Sequence, residues 1–91
     1  MSVIRHPIVI INKLGLHARA TAKLVATASR FDSSIKVCGK GREVDAKNIM
    51  QVMMLAASKG TEVELVVDGT DEQHAIDALA ALINDYFGEG E

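Results

Sequence analysis

The chain contains no tryptophan, one tyrosine, two phenylalanines, one proline and one cysteine in 91 residues. So few aromatic rings exclude stacking on aromatic faces as a way to bind bases or sugars. The core is expected to consist of aliphatic side chains, alanine and methionine instead. A lone cysteine, Cys38, excludes an internal disulfide. Neither sign of charge dominates, with 10 basic and 12 acidic side chains and a net charge of -2. The broad positive footprint of a nucleic-acid binder is therefore missing, and any anion site has to be local. No apolar run approaches the ~20 residues of a membrane span. The N-terminal stretch lacks the apolar segment and cleavage site of a secretory signal, so the expected compartment is the reducing cytoplasm. What is present is globular usage, 48% hydrophobic and 24% charged. The length suits a single domain over 1–91, with 88–91 expected to be a flexible tail.

The hydrophobic pattern divides the chain into seven elements. Val3 to Ile11 is rich in β-branched residues and reads as a strand, which Pro7 confines to an edge or bulge. Asn12-Lys13-Leu14-Gly15 supplies turn chemistry, and from Leu16 to near Arg30 the spacing is helical. Ile35–Cys38 and Arg42–Val44 read as a hairpin about Gly39-Lys40-Gly41. Ile49, Met50, Met53, Met54 and Ala57 recur at helical spacing, with Gly60 as the expected stop. Thr61 to Val67 alternates as a strand. Thr70, with Gln73 three residues on, resembles the cap of a last helix ending near Phe87. The order β-α-β-β-α-β-α predicts an α+β fold with three helices on one face of a mainly antiparallel sheet.

The stretch Gly15-Leu16-His17-Ala18-Arg19-Ala20 places a histidine between a glycine turn and a helix. The unpaired N–H groups and dipole of a helix start favour an anion and disfavour imidazolium, so His17 is expected to be neutral and nucleophilic. A phosphoryl group on it would meet the first-turn amides and the Arg19 guanidinium, with Gly15, Ala18 and Arg19 as the expected phosphate-binding residues. Gly15 would leave room for a large partner to approach the ring. His-x-Arg alone is also compatible with a solvated or capping histidine.

The other candidates carry less. His6, His17, His74 and Cys38 lack the spacing of a zinc site, and no metal or cofactor is expected. Asp45, Asp68, Asp71 and Glu72 fall in turns or caps. The large apolar residues of the second helix occur in adjacent pairs, which cannot all point inward; one of each pair is expected to form an exposed patch, with Lys47 adding a positive charge beside it.

At these residues the chain resembles the HPr family, the histidine phosphocarriers of the bacterial phosphotransferase system. The resemblance rests on Gly-Leu-His-Ala-Arg at 15–19, Val-x-Ala-Lys-Asn-Ile-Met at 44–50, the segment from Leu55 to Gly60, and Asp-Gly-Thr-Asp-Glu-Gln from Asp68. It implies an open-faced β-sandwich with a four-stranded antiparallel sheet. It implies His17 phosphorylated at Nδ1, Arg19 paired with the phosphate, enzyme I as donor and an enzyme IIA as acceptor. Partner contact is expected at Ala20, Thr21, Lys47, Asn48, Ile49, Met50 and Met53. Such a protein is a phosphoryl carrier with a phosphohistidine intermediate, not a stand-alone enzyme, and is expected to be a monomer that binds neither nucleic acid nor membrane.

Two positions depart from the family. Ala20 stands where proline is usual, although alanine also suits a helix. Asn48 stands where some members carry a regulatory serine, and it has no hydroxyl to phosphorylate. Asn-Lys-Leu-Gly before the site and the acidic end resemble the nitrogen-related branch, NPr. The alternative from another class is a non-carrying regulatory module that binds proteins through the Ile49/Met50/Met53 patch. A third, a small ligand-binding ferredoxin-like domain, would need a pocket that an alanine-rich core barely supplies.

Overall fold

The computed structural model describes residues 3–89. Its elements follow the expected order: β1 Ile4–Val9, α1 Ala18–Ala28, β2 Ser34–Gly39, β3 Arg42–Asp45, α2 Ile49–Leu55, β4 Glu62–Asp68 and α3 Glu72–Asn84, then a 3-10 turn at Tyr86–Gly88. The strands form one antiparallel sheet in the order β1-β4-β2-β3. Pro7 thus sits on an edge strand, where its missing N–H costs no ladder bond. Alternation sends Ile8, Ile35, Val37, Val44, Val63, Leu65 and Val67 to the covered face. The other face carries polar side chains such as Arg5, Lys36 and Glu64, with Arg5 Nη1 3.0 Å from Glu64 Oε1.

The helices close over the apolar face with Leu24, Val52, Leu55, Ile76, Leu79 and Ile83, and the fully buried Ala20, Ala28 and Ala75 let backbones come close. Methionine does not fill this core. Met50, Met53 and Met54 are all exposed, and the last large core group is Phe87 from the 3-10 turn. Met1 lies outside the described residues.

Three helix boundaries differ from the sequence expectation. Helix α2 stops at Ala56, which is left-handed with φ 52°, and not at Gly60. The chain leaves the helix early because Ala57 O takes the Leu16 N–H at 2.9 Å. Helix α3 starts after Asp71, not Thr70, because the Asp71 carboxylate is turned onto the amides of Asp32 and Ser33 and the Ser33 hydroxyl. It ends at Asn84 because Phe87 reaches the core only through left-handed backbone, φ 53°. Of the expected tail, Gly88 closes that turn and Glu89 packs toward α1, while Gly90 and Glu91 lie outside the described residues.

Candidate functional site

His17 is the N-cap of α1, extended at φ -75° and ψ 179°, and it makes no side-chain cap bond. The first-turn amides therefore keep the free donors that a helix start leaves. Gly15 turns the chain into this position with φ 63°, and a Cβ there would stand 2.6 Å from Ala57 O. The glycine is thus required by the 57–58 backbone, a reason independent of the room for a partner expected from the sequence. The His17 Nδ1 lies 3.1 Å from Gly15 O. Arg19 is exposed on the first turn of α1, which carries no acid.

A carboxylate from the far end of the chain faces the ring. Glu89 Oε2 lies 2.9 Å from His17 Nε2. Its other oxygen, Oε1, accepts from Asn12 Nδ2 at 3.1 Å, and the same Asn12 amide donates to Gly15 O at 2.8 Å. The helix start itself offers the ring no acid, and the folded site places one beside it. Lys13, Leu14, His17, Ala18, Arg19 and Glu89 together line a groove of about 530 Å³.

A histidine beside an uncapped helix start, with a guanidinium two residues on, is a place to hold a phosphoryl group. Comparison with known proteins meets that geometry: residues 4–85 match the family described as the phosphotransferase-system HPr component phosphorylation site. The chain belongs to the HPr family of phosphocarriers. The phosphocarrier protein HPr of Cupriavidus necator is 63% identical over 82 residues, covering 90% of this chain and 92% of that one. The crystal structure of HPr-C-His from Thermoanaerobacter tengcongensis superposes with a TM-score of 0.90 at 47% identity, covering 98% of each chain. An HPr dimer from the same organism gives 0.77 at 50% identity, covering 90% of this chain and 94% of that one. The open-faced sandwich expected from the resemblance is the fold observed.

The partner residues expected for an HPr-like surface divide. Ile49, Met50 and Met53 are exposed, and so is Met54, so both members of each adjacent pair face outward while Val52 and Leu55 turn in. A short helix docked through two side chains leaves the rest free. Asn48, also exposed, caps α2 by accepting from Gln51 N at 3.1 Å. Lys47 spends its ammonium on Phe31 O at 2.7 Å. Ala20 and Thr21 have no exposed surface, and the Thr21 hydroxyl donates to Leu16 O. Neither can offer its side chain to a partner; both belong to the buried stripe of α1.

The remaining candidates lie apart from this site, His6 on β1, Cys38 on β2 and His74 in the first turn of α3. Burial and the neighbouring Glu43 carboxylate push the Cys38 thiol above its ordinary value. The sequence pattern does not bring Asn12 or Glu89 to this site. Asn12 reads as turn chemistry in the sequence, yet it is fully buried. Among the described residues no helix is long and apolar enough to cross a membrane.

Proposed function

We propose that this HPr-family chain carries its phosphoryl group on His17 Nδ1, taking it from enzyme I and passing it to an enzyme IIA. The observation that carries this reading is the uncapped start of α1 with His17 as its N-cap. The lone pair of Nδ1 attacks the donor's phosphorus, and the transferred oxygens are met by the amides of Ala18 and Arg19 and by the Arg19 guanidinium. The fixed dipoles need no reorganisation when charge arrives. Gly15 sets the approach of the chain to the helix and does not bind phosphate through its own amide, which donates to Asn12 O at 3.1 Å.

Docking in this reading uses Ile49, Met50 and Met53, with Asn48 at their edge. Polarizable, unbranched side chains adapt to more than one partner in turn. The chain works as one HPr-like domain and as a monomer in the cytoplasm, needing no cofactor or metal of its own. The turn Asn12-Lys13-Leu14-Gly15 favours the nitrogen-related branch, and faster transfer to a nitrogen-type than to a sugar-type enzyme IIA is the expected result.

Incubation with enzyme I, magnesium and phosphoenolpyruvate tests the carrier reading. One acid-labile phosphate is expected on the intact mass of the wild type and none on His17→Ala, whose fold is retained. Phosphate on the His17→Ala protein would contradict the assignment. Absence of phosphate on the wild type would favour the non-carrying binding module.

A further inference from the structure

We propose that Glu89 is a positioning residue for His17, holding the proton on Nε2 so that Nδ1 is the nitrogen that reacts; this rests on the carrier reading above. The Glu89 side chain is only 13% exposed, although it lies beyond the last helix. Three contacts bring it there. Phe87 is fully buried, Lys23 Nζ donates to Phe87 O, and Gly88 at φ 76° turns the chain back toward α1. The buried Asn12 then fixes one carboxylate oxygen through its amide.

The other oxygen, Oε2, is buried and receives no aligned hydrogen bond among the described residues, though it stands 2.9 Å from the ring Nε2. A buried acceptor without a donor is costly. A small swing of the imidazole that brings Nε2–H onto Oε2 removes that cost. Gly15 O is the competing acceptor, since it lies 3.1 Å from Nδ1 and would favour the opposite tautomer. An ionised carboxylate is the stronger acceptor of the two. With the proton on Nε2, the Nδ1 lone pair is available for attack once the same swing turns it off Gly15 O.

The step balances without a further reactant. The Nδ1 lone pair forms the P–N bond, the bond from phosphorus to the donor protein breaks, and its electron pair leaves with the donor. The ring keeps its Nε2 proton and gains positive charge, which the Glu89 carboxylate stabilises. The helix start alone would disfavour that charge, and the first turn of α1 carries no acid of its own. Among the described residues, the charged groups facing the ring are Glu89, Arg19 and Lys13, which share its groove.

Glu89→Ala and Glu89→Gln test this in the full chain. Nitrogen-15 spectra of His17 should show the neutral ring as the Nε2–H form in the wild type, with a larger Nδ1–H fraction in Glu89→Ala. The maximal rate of phosphorylation by enzyme I should fall about tenfold in Glu89→Ala, the scale of one charge-assisted bond, with KM for the carrier within about twofold. Glu89→Gln, which keeps an acceptor oxygen but no charge, should fall between. An unchanged tautomer balance and rate in Glu89→Ala would overturn the role of Glu89. So would a change in KM alone. A wild type that takes no phosphate would overturn the carrier reading and this proposal with it, whatever the tautomer.

Discussion

At the start of α2, Asn48 turns its side-chain oxygen onto the amide of Gln51 at 3.1 Å, whereas at the start of α1 His17 makes no such bond. Both residues are extended N-caps of helices on the same face of one sheet. At α2 the cap satisfies a helix-end donor internally, and the helix is left to present Ile49, Met50, Met53 and Met54 to solvent. At α1 the same kind of donor has no side-chain cap, which leaves it open for the phosphoryl group in the proposed reading. The third helix start differs again, since Asp71 spends its carboxylate on Asp32 and Ser33 and ties two loops together. In the proposed reading, a helix N-terminus serves as a site where its own cap leaves it open and a reactive side chain stands there.

The largest expected effect that sharpens this contrast comes from Arg19→Ala, which removes the free guanidinium and leaves the amides of α1. Phosphorylation by enzyme I should slow by about 10- to 100-fold with the melting curve unchanged, because Arg19 is exposed. Equal rates in stopped transfer assays would remove the arginine from the site.

Next, Leu55→Ala and Met50→Asp separate the two faces of α2. Leu55 is 2% exposed and Met50 73%. Truncating the buried leucine should cost about 2–4 kcal/mol in denaturant unfolding. Met50→Asp should stay within about 0.5 kcal/mol of wild type yet raise KM for enzyme I by roughly fivefold or more. The reverse pattern would place the methionine in the core and the leucine at the interface.

The caps themselves can be broken. Asn48→Ala should lose about 1 kcal/mol of stability, while Asn48→Asp keeps the cap and adds a charge beside Ile49 and Met50. The aspartate variant should slow transfer from enzyme I at low salt, with stability unchanged; an unchanged rate would put this helix end outside the docking surface. For Asp71, the Ser33 hydroxyl above all, and the amides of Asp32 and Ser33, hold the carboxyl below the ordinary aspartate value. Its contribution is therefore complete above about pH 3.9 and is lost as pH falls through the lower folded value. Asp71→Asn should remove that part of the acid-induced loss, seen as a shallower fall of melting temperature below pH 4.

Much of the fold was legible because it is written in short-range pattern. Alternation in Val63, Leu65 and Val67, and the helical run through Leu79 and Ile83, each declare one buried face within a few residues. That His17 and Arg19 stand together at a helix start was legible for the same reason, since a glycine turn, a histidine and a helix start are adjacent in the chain. Glu89 was not, because its meeting with His17 depends on where Phe87 enters the core and how Gly88 turns. Reading Ala20 and Thr21 as partner contacts followed the family surface and overlooked the buried stripe they form with Leu24 and Ala28. The exposure of both members of each apolar pair in α2 was also hidden, because nothing local shows that Val52 and Leu55 suffice to dock so short a helix.

The most direct test places the phosphate on the molecule. With nitrogen-15-labelled protein phosphorylated by enzyme I and phosphoenolpyruvate, phosphorus–nitrogen coupling should appear at Nδ1 of His17. The amide signals of Ala18 and Arg19 should move strongly, and those of Gln51 and its neighbours in α2 should stay in place. Phosphate on any other side chain, or first-turn amides of α1 that do not respond, would contradict the claim that the open start of this helix is the phosphoryl site.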